Sequence, residues 1–107
     1  MASDAIKILN DENFEAGVAQ GVVLVDFYAD WCGPCRMLTP VVEELAKEMA
    51  GKASVVKVDT DQSVNTAAKH EVTSIPTLIL FKDGQVVKRV VGLKDLDSLR
   101  TMVNEVL

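Results

Sequence analysis

The chain has 107 residues, of which 49% are hydrophobic, and its formal net charge is −5. This length and apolar content predict one domain, residues 1–107, whose core needs no metal or disulfide staple. Charges of both signs are interspersed along the chain, so nothing indicates the basic face of a nucleic-acid-binding protein. No segment resembles a signal peptide or is long enough to cross a membrane, which predicts a cytoplasmic protein.

The first half of the chain alternates between strand and helix patterns. Ile6–Leu9 predicts a short strand, and Asn10 is placed to cap a helix whose first turn is acidic. The run Val22–Ala29 is β-branched and aromatic, which predicts a central strand covered on both faces. The pattern after it predicts a long helix that reaches Met49 and is kinked by Pro40.

The second half repeats this alternation and then ends in a hairpin and a helix. Val55–Asp59 predicts another buried strand, followed by a helix capped near Asp61. Asp83-Gly84 is a strong signal for a two-residue hairpin between flanking strands. A closing helix is indicated by apolar residues at helical spacing, namely Leu96, Leu99, Val103 and Val106. The order predicts an α/β fold, a mixed sheet with helices on both faces and its first three strands parallel.

The two cysteines, Cys32 and Cys35, are compatible with three kinds of site. A structural disulfide that closes so short a ring contributes only about 2 kcal/mol, and a reducing cytosol disfavours it. A zinc site needs four ligands, and the chain offers only this pair and His70. A redox couple needs only the pair itself and surroundings that stabilise a thiolate.

The position of the pair favours the redox couple. The pair follows the buried strand and opens the long helix, with Pro34 suited to the first turn. Unpaired backbone N–H groups and the positive end of the helix dipole stabilise a thiolate at Cys32. Cys35 lies one turn further along and is expected to be more covered. These positions predict that Cys32 attacks a disulfide and that Cys35 resolves the intermediate.

Several segments of the sequence occur together in a recognisable order. They are Val25–Cys35 with its Trp-Cys-Gly-Pro-Cys run, Val56–Asp59, Ser74–Leu78, Asp83-Gly84 and Gly92. With strand, cysteine pair and helix in this arrangement, the chain resembles the thioredoxin family of the bacterial type over essentially its whole length. A single pair of cysteines would be weak support, whereas these segments at matching separations are highly specific.

The resemblance implies a fold, an activity and partners. The implied fold is a five-stranded sheet of order 1-3-2-4-5 flanked by four helices, and the implied activity is reduction of protein disulfides. The implied reducing partner is thioredoxin reductase, whose FAD and NADPH belong to it, so no cofactor is expected on this chain. The implied substrates are disulfide-containing proteins such as ribonucleotide reductase, peroxiredoxins and methionine sulfoxide reductases. The protein is expected to be a monomer.

Two charged residues interrupt apolar strands in this sequence. Asp26 is either a polar residue at a strand edge or a buried carboxyl with a raised pKa, placed to move a proton to or from Cys35 through water. Lys57 either packs its stem on the sheet with its amine in water or stands near that carboxyl, as the resemblance implies. Both residues are candidate catalytic residues beside the cysteines.

The resemblance also implies a substrate-binding surface around Cys32. It assigns a cis peptide bond before Pro76 and a backbone N–H and C=O at Ile75 for pairing with an extended substrate. The exposed indole of Trp31 is expected to serve docking, although simple packing is the alternative. Together the implied substrate-binding residues are Trp31, Gly33, Pro34, Ile75, Pro76 and Gly92. For Gly92 the alternative is that it merely ends a strand.

A few residues depart from the family pattern or have no predicted role. Tyr28 stands where tryptophan is usual in these proteins, and Ser74 where glycine is common. His70 is expected to be a surface or capping residue without function. The methionines on helices, Met37, Met49 and Met102, are interpreted as core residues.

Two rival functions remain open at the level of sequence. The same fold can act as an oxidant or isomerase, but the Gly33-Pro34 dipeptide between the cysteines matches the reducing branch of the family. The chain could instead be a binding module within a larger assembly, with cysteines that are incidental to its role. A variant without both cysteines that still supported the cellular role would favour the binding module.

Overall fold

The computed structural model describes residues 6–107, so residues 1–5 of the predicted domain lie outside the described chain. The sheet has five strands in the order β1-β3-β2-β4-β5. β1 and β2 both pair with β3 in parallel, while β4 pairs antiparallel with β2 and β5. The strands are β1 Ile6–Leu9, β2 Val22–Tyr28, β3 Ser54–Asp59, β4 Thr77–Lys82 and β5 Gln85–Val91. The predicted α/β fold and strand order are confirmed.

Four helices cover the two faces of this sheet. They are α1 Phe14–Val18, α2 Gly33–Glu48, α3 Val64–Lys69 and α4 Leu96–Asn104. On one face, α2 and α4 pack on β2 and β4 through an apolar cluster that includes Leu24, Leu38, Val42, Leu78 and Leu99. On the other face, α1 packs through a second cluster that includes Phe14, Val25, Phe27, Ile79 and Phe81. Burial of both faces explains the continuous apolar run of β2, because its alternate side chains enter different clusters.

The hairpin between β4 and β5 turns at Asp83 and Gly84, as predicted. Their φ angles of 50° and 83° are both left-handed, the pair of conformations that a type I′ turn requires. Asp83 also joins this turn to the loop before β2, because its Oδ1 accepts the Gly21 N–H at 2.8 Å. Its own N–H donates to the Gly21 carbonyl at 2.9 Å.

Two helices start a few residues later than predicted. The first regular helix begins at Phe14, but Asn10 caps the turn before it as expected, because its Oδ1 accepts the N–H groups of Glu12 and Asn13. The third helix has Ser63 at its N-cap, and Asp61 lies in the preceding turn. In that turn the Asp59 side chain accepts the N–H groups of Asp61 and Gln62.

The methionine and membrane predictions have different outcomes. Met49 and Met102 are buried as predicted, but Met37 is 64% exposed on α2 and is not a core residue. Met37 follows Arg36 on the side of the helix that faces away from the sheet. Within residues 6–107, no helix combines the length and apolar character needed to span a membrane.

Candidate active site

The cysteine pair lies where β2 gives way to α2. Cys32 is the N-cap residue of α2, with extended backbone angles of φ −88° and ψ 112°. Its Sγ accepts the backbone N–H of Cys35 at 3.2 Å. The two residues form a disulfide with a Cα–Cα distance of 5.2 Å. The sequence therefore placed the pair correctly at the N-terminus of the long helix, where Gly33 and Pro34 are the first two helical residues.

Cys35 was expected to be less exposed to solvent than Cys32, but this difference is absent from the disulfide form. Cys32 is 4% exposed and Cys35 is 3% exposed. Both belong to a small cluster with Ala29, against which Tyr28 and Ile75 pack. Both cysteines lie within this cluster in the disulfide form, and their burial is nearly equal.

The loop before β4 lies directly against Cys32. The Ile75–Pro76 peptide bond is cis, as the resemblance implied. Sγ of Cys32 lies 3.9 Å from the carbonyl oxygen of Ile75. Gly92, which follows β5, donates its N–H to the Pro76 carbonyl at 2.8 Å and has a left-handed φ of 97°. The chain thus brings Ile75, Pro76 and Gly92 together beside the cysteine pair.

Trp31 presents its ring at the surface next to the disulfide. The residue is 69% exposed. Its indole Nε1–H donates to Oδ2 of Asp61 at 2.9 Å, which orients the ring. The sequence interpretation gave Asp61 a capping role and missed this contact, because the two residues are 30 positions apart and no local pattern joins them.

Asp26 lies in β2 beneath α2 and is 0% exposed, which excludes the strand-edge alternative. Neither carboxyl oxygen has a hydrogen-bond partner within the described chain. Burial raises the pKa of Asp26 from 3.8 to about 6, and the positive charge of Lys57 offsets part of this shift. The carboxyl is therefore able to change its protonation state near neutral pH.

Lys57 is the register partner of Asp26 in the neighbouring strand β3. Its side chain is half-buried, and its Nζ lies 4.2 Å from the centroid of the Tyr28 ring. The amine therefore contacts an aromatic ring, which neither sequence alternative included. A cavity of about 120 Å³ is lined by Tyr28, Lys57, Cys35 and Thr39 together with the neighbouring loop.

The arrangement suits thiol–disulfide exchange. A thiolate at Cys32 would face the backbone N–H groups that open α2, and a second thiol lies within bonding distance. A carboxyl that titrates near pH 6 lies in the adjacent strand. Residues 6–107 contain no cluster of three or more side chains able to bind a metal ion.

Comparisons with known proteins agree with this geometry. The family model described as Thioredoxin matches residues 5–105. A thioredoxin from Chlamydia pneumoniae is 53% identical over 100 residues, covering 94% of this chain and 97% of that protein. A thioredoxin from Staphylococcus aureus is 52% identical over 101 residues, with the same two shares covered.

A solved structure has the same fold. A mutant thioredoxin from Halobacterium salinarum NRC-1 is 42% identical and superposes with a TM-score of 0.87, covering 98% of this chain and 94% of that one. Family membership implies a thioredoxin reductase partner and disulfide-containing substrates. The chain belongs to the thioredoxin family and is a thiol–disulfide oxidoreductase with a dithiol–disulfide couple.

Proposed function

We propose that the protein reduces protein disulfides with Cys32 as the nucleophile and Cys35 as the resolving thiol. The observation that carries these roles is the position of the Cys32 sulfur at the N-cap of α2, where it accepts the Cys35 N–H. A thiolate at this position is stabilised by the same N–H group and by the helix dipole. Its pKa is thereby lowered, which makes it the attacking species.

The reaction proceeds in two exchange steps. The Cys32 thiolate attacks one sulfur of the substrate disulfide, forms a mixed disulfide and releases the other sulfur as a thiolate. The Cys35 thiolate then attacks Sγ of Cys32, which breaks the mixed disulfide and releases the second substrate sulfur. Two electrons pass to the substrate, and the protein is left with the Cys32–Cys35 disulfide that the structure contains.

Asp26 is proposed to accept the proton that Cys35 loses before the second step. The carboxyl is buried in the strand that leads to the cysteines and has a pKa of about 6, so it is mostly ionised at neutral pH and is a better proton acceptor than an ordinary carboxylate. The proton is proposed to move through water, and in keeping with this neither oxygen has a hydrogen-bond partner within residues 6–107. Lys57 is proposed to assist by stabilising the ionised carboxylate.

The substrate is proposed to dock on the surface around Cys32. Ile75 offers its backbone beside the sulfur, and Trp31 presents an exposed ring. The proposed surface consists of Trp31, Gly33, Pro34, Ile75, Pro76 and Gly92.

The proposed cellular setting is the cytoplasm. Thioredoxin reductase is proposed to restore the dithiol with electrons from NADPH through its own FAD. Residues 1–107 are proposed to form one domain that binds no cofactor. Proposed substrates are ribonucleotide reductase, peroxiredoxins and methionine sulfoxide reductases.

A trapping experiment tests the two cysteine roles. Cys35→Ser should accumulate a covalent mixed disulfide with a disulfide-containing protein, because the second step lacks its attacking thiol. Cys32→Ser and the double variant serve as matched controls and should form none. Equal trapping by Cys32→Ser, or no covalent complex with Cys35→Ser, would contradict the assigned order of attack.

A further inference from the structure

The Lys57 ammonium is placed on the face of the Tyr28 ring. Nζ lies 4.2 Å from the ring centroid, well within the range of about 6 Å for a cation–π contact. Both side chains are half-buried, which makes such a contact stronger than at an exposed site. Burial raises the pKa of the Tyr28 hydroxyl, and the negative charges of nearby carboxylates, of which Asp59 has the largest effect, raise it further. The side chain therefore remains a neutral phenol.

The sheet register places this contact on the same face as Asp26. Asp26 pairs with Lys57, and Tyr28 pairs with Asp59, in the parallel ladder of β2 and β3. Residues two apart in a strand share a face, so Asp26, Tyr28 and Lys57 all lie on the α2 side of the sheet. Lys57 thus reaches diagonally to the ring rather than directly across to its own register partner.

Little else fixes the Lys57 amine. None of the ion pairs found within residues 6–107 includes it. A lysine has a flexible four-carbon stem, so without a partner its ammonium would spread over many positions in water. The Tyr28 ring also lines the cavity of about 120 Å³ that Lys57 shares with Cys35 and Thr39. The ring therefore stands where it can fix a charge beside the resolving cysteine.

We propose that Tyr28 is a positioning residue that holds the Lys57 ammonium on the sheet face it shares with Asp26, beside the cavity that reaches Cys35. The ring thereby keeps the attraction between this cation and the ionised Asp26 carboxylate in place. Tyr28 touches neither substrate nor the moving proton, and it acts only through Lys57. The inference deepens the proposed function and rests on it for its catalytic meaning.

Few other charged groups within residues 6–107 lie where they could change the pKa of Asp26. Its register partner on β4 is Leu78, which is uncharged. The neighbouring cavity is lined by Cys35 of α2 and by two further charged residues, Arg36 and Asp30. Among residues 6–107, Lys57 is the cation whose charge lowers the pKa of Asp26. A change in that pKa therefore reports on Lys57.

The test measures how strongly Lys57 acts on Asp26 with and without the ring. The oxidised protein is used, since disulfide-bonded cysteines do not titrate. The carboxyl carbon of Asp26 is titrated by NMR and assigned with Asp26→Asn. Lys57→Met should raise the pKa of Asp26 by about one unit, the effect of removing one nearby opposite charge. Lys57→Met should raise the pKa of Asp26 by the same amount in a Tyr28→Phe background, which keeps the ring. In a Tyr28→Leu background, Lys57→Met should raise it by less than half as much.

An equal effect of Lys57→Met in the Tyr28→Leu background would overturn the proposal, since the ring would then be irrelevant to the lysine. A second measurement needs no variant that could fail to fold. The ε-methylene protons of Lys57 in the unmodified protein should be shifted upfield by the ring current of Tyr28, and unshifted protons would equally overturn it. Failure of the proposed catalytic role of Asp26 would give a different result. Asp26→Asn would then leave the rate of the second exchange step unchanged, while Lys57→Met would still shift the pKa of Asp26 in a way that depends on the Tyr28 ring.

Discussion

Asp26 and Lys57 are register partners in β2 and β3, yet neither carboxyl oxygen of Asp26 has a hydrogen-bond partner in the described chain. The lysine ammonium rests on the Tyr28 ring instead. A buried carboxyl without direct pairing destabilises the fold when it is ionised. This separation leaves Asp26 with a pKa of about 6, which suits proton exchange with a thiol.

Asp26→Asn should therefore be more stable than the unmodified protein at pH 8. The pKa of Asp26 rises on folding from 3.8 to about 6, so protonation of this carboxyl stabilises the folded state. Its contribution to the free energy of unfolding is complete only below pH 3.8. This contribution falls as pH rises and is lost above pH 6, and a shift of about two units corresponds to roughly 3 kcal/mol.

Urea unfolding at pH 4 and pH 8 checks this prediction. The advantage of Asp26→Asn should be small at pH 4 and approach its full value at pH 8. Asp59→Asn is a matched control, because Asp59 lies in the adjacent strand and is only half-buried. An advantage of the Asp26 variant that did not change with pH would contradict the assigned titration.

Trp31→Ala should impair reduction of protein disulfides much more than reduction of a small aromatic disulfide. The ring is 69% exposed and adjoins Cys32, so its removal should cost docking rather than thiol chemistry. Loss of one aromatic contact of about 1.4 kcal/mol or more lowers kcat/KM for a protein substrate by roughly tenfold or more. Steady-state kinetics with both substrate types measures this, and equal losses with both would argue against a docking role.

Gly17→Ala should destabilise the fold by about 2 kcal/mol through overpacking. A Cβ at Gly17 would lie 2.5 Å from Cδ1 and 3.0 Å from Cδ2 of Leu9, which is buried in the cluster under α1. Combining the change with Leu9→Ala, which removes the clashing atoms, should cost less than the sum of the single changes. Thermal or urea unfolding measures the three variants, and strict additivity would show that Leu9 is not the obstacle.

Glu71→Gly should stabilise the protein by about 1 kcal/mol, because Glu71 has a left-handed φ of 55° that a side chain disfavours. The residue closes α3, where its N–H donates to the Ala68 carbonyl and the next N–H, of Val72, donates to Ala67. Glu71→Ala keeps the Cβ and should give no such gain. Unfolding curves of the two variants decide between relief of backbone strain and simple loss of charge.

The element types and the cysteine site could be predicted because their signals are local, whereas the strand order followed from the family resemblance. β2 is apolar on both faces because it is central, and Asp83-Gly84 takes the left-handed conformations that its hairpin needs. The cysteine pair at the start of α2 follows from the strand before it and from Pro34 in the first turn. These patterns predict element types well because each depends on neighbouring residues alone.

The features that the sequence missed depend on contacts between distant segments. The bond from Trp31 to Asp61 and the approach of Lys57 to Tyr28 join different elements, and each polar group could equally well have faced water. Met37 has the apolar character of a core residue, but the sheet lies on the other side of α2. The helices start later than predicted because the side chains of Asn10 and Asp59 each accept N–H groups of a turn that precedes the helix.

The most direct test is a redox titration of the Cys32–Cys35 couple against dithiothreitol and glutathione buffers. Trp31 fluorescence follows the change, and thiol alkylation confirms it. A disulfide reductase should give one reversible two-electron couple with a midpoint near the family value of about −270 mV. A midpoint roughly 100 mV higher would make the protein an oxidant or isomerase. The absence of any reversible couple would contradict a redox role for the cysteines altogether.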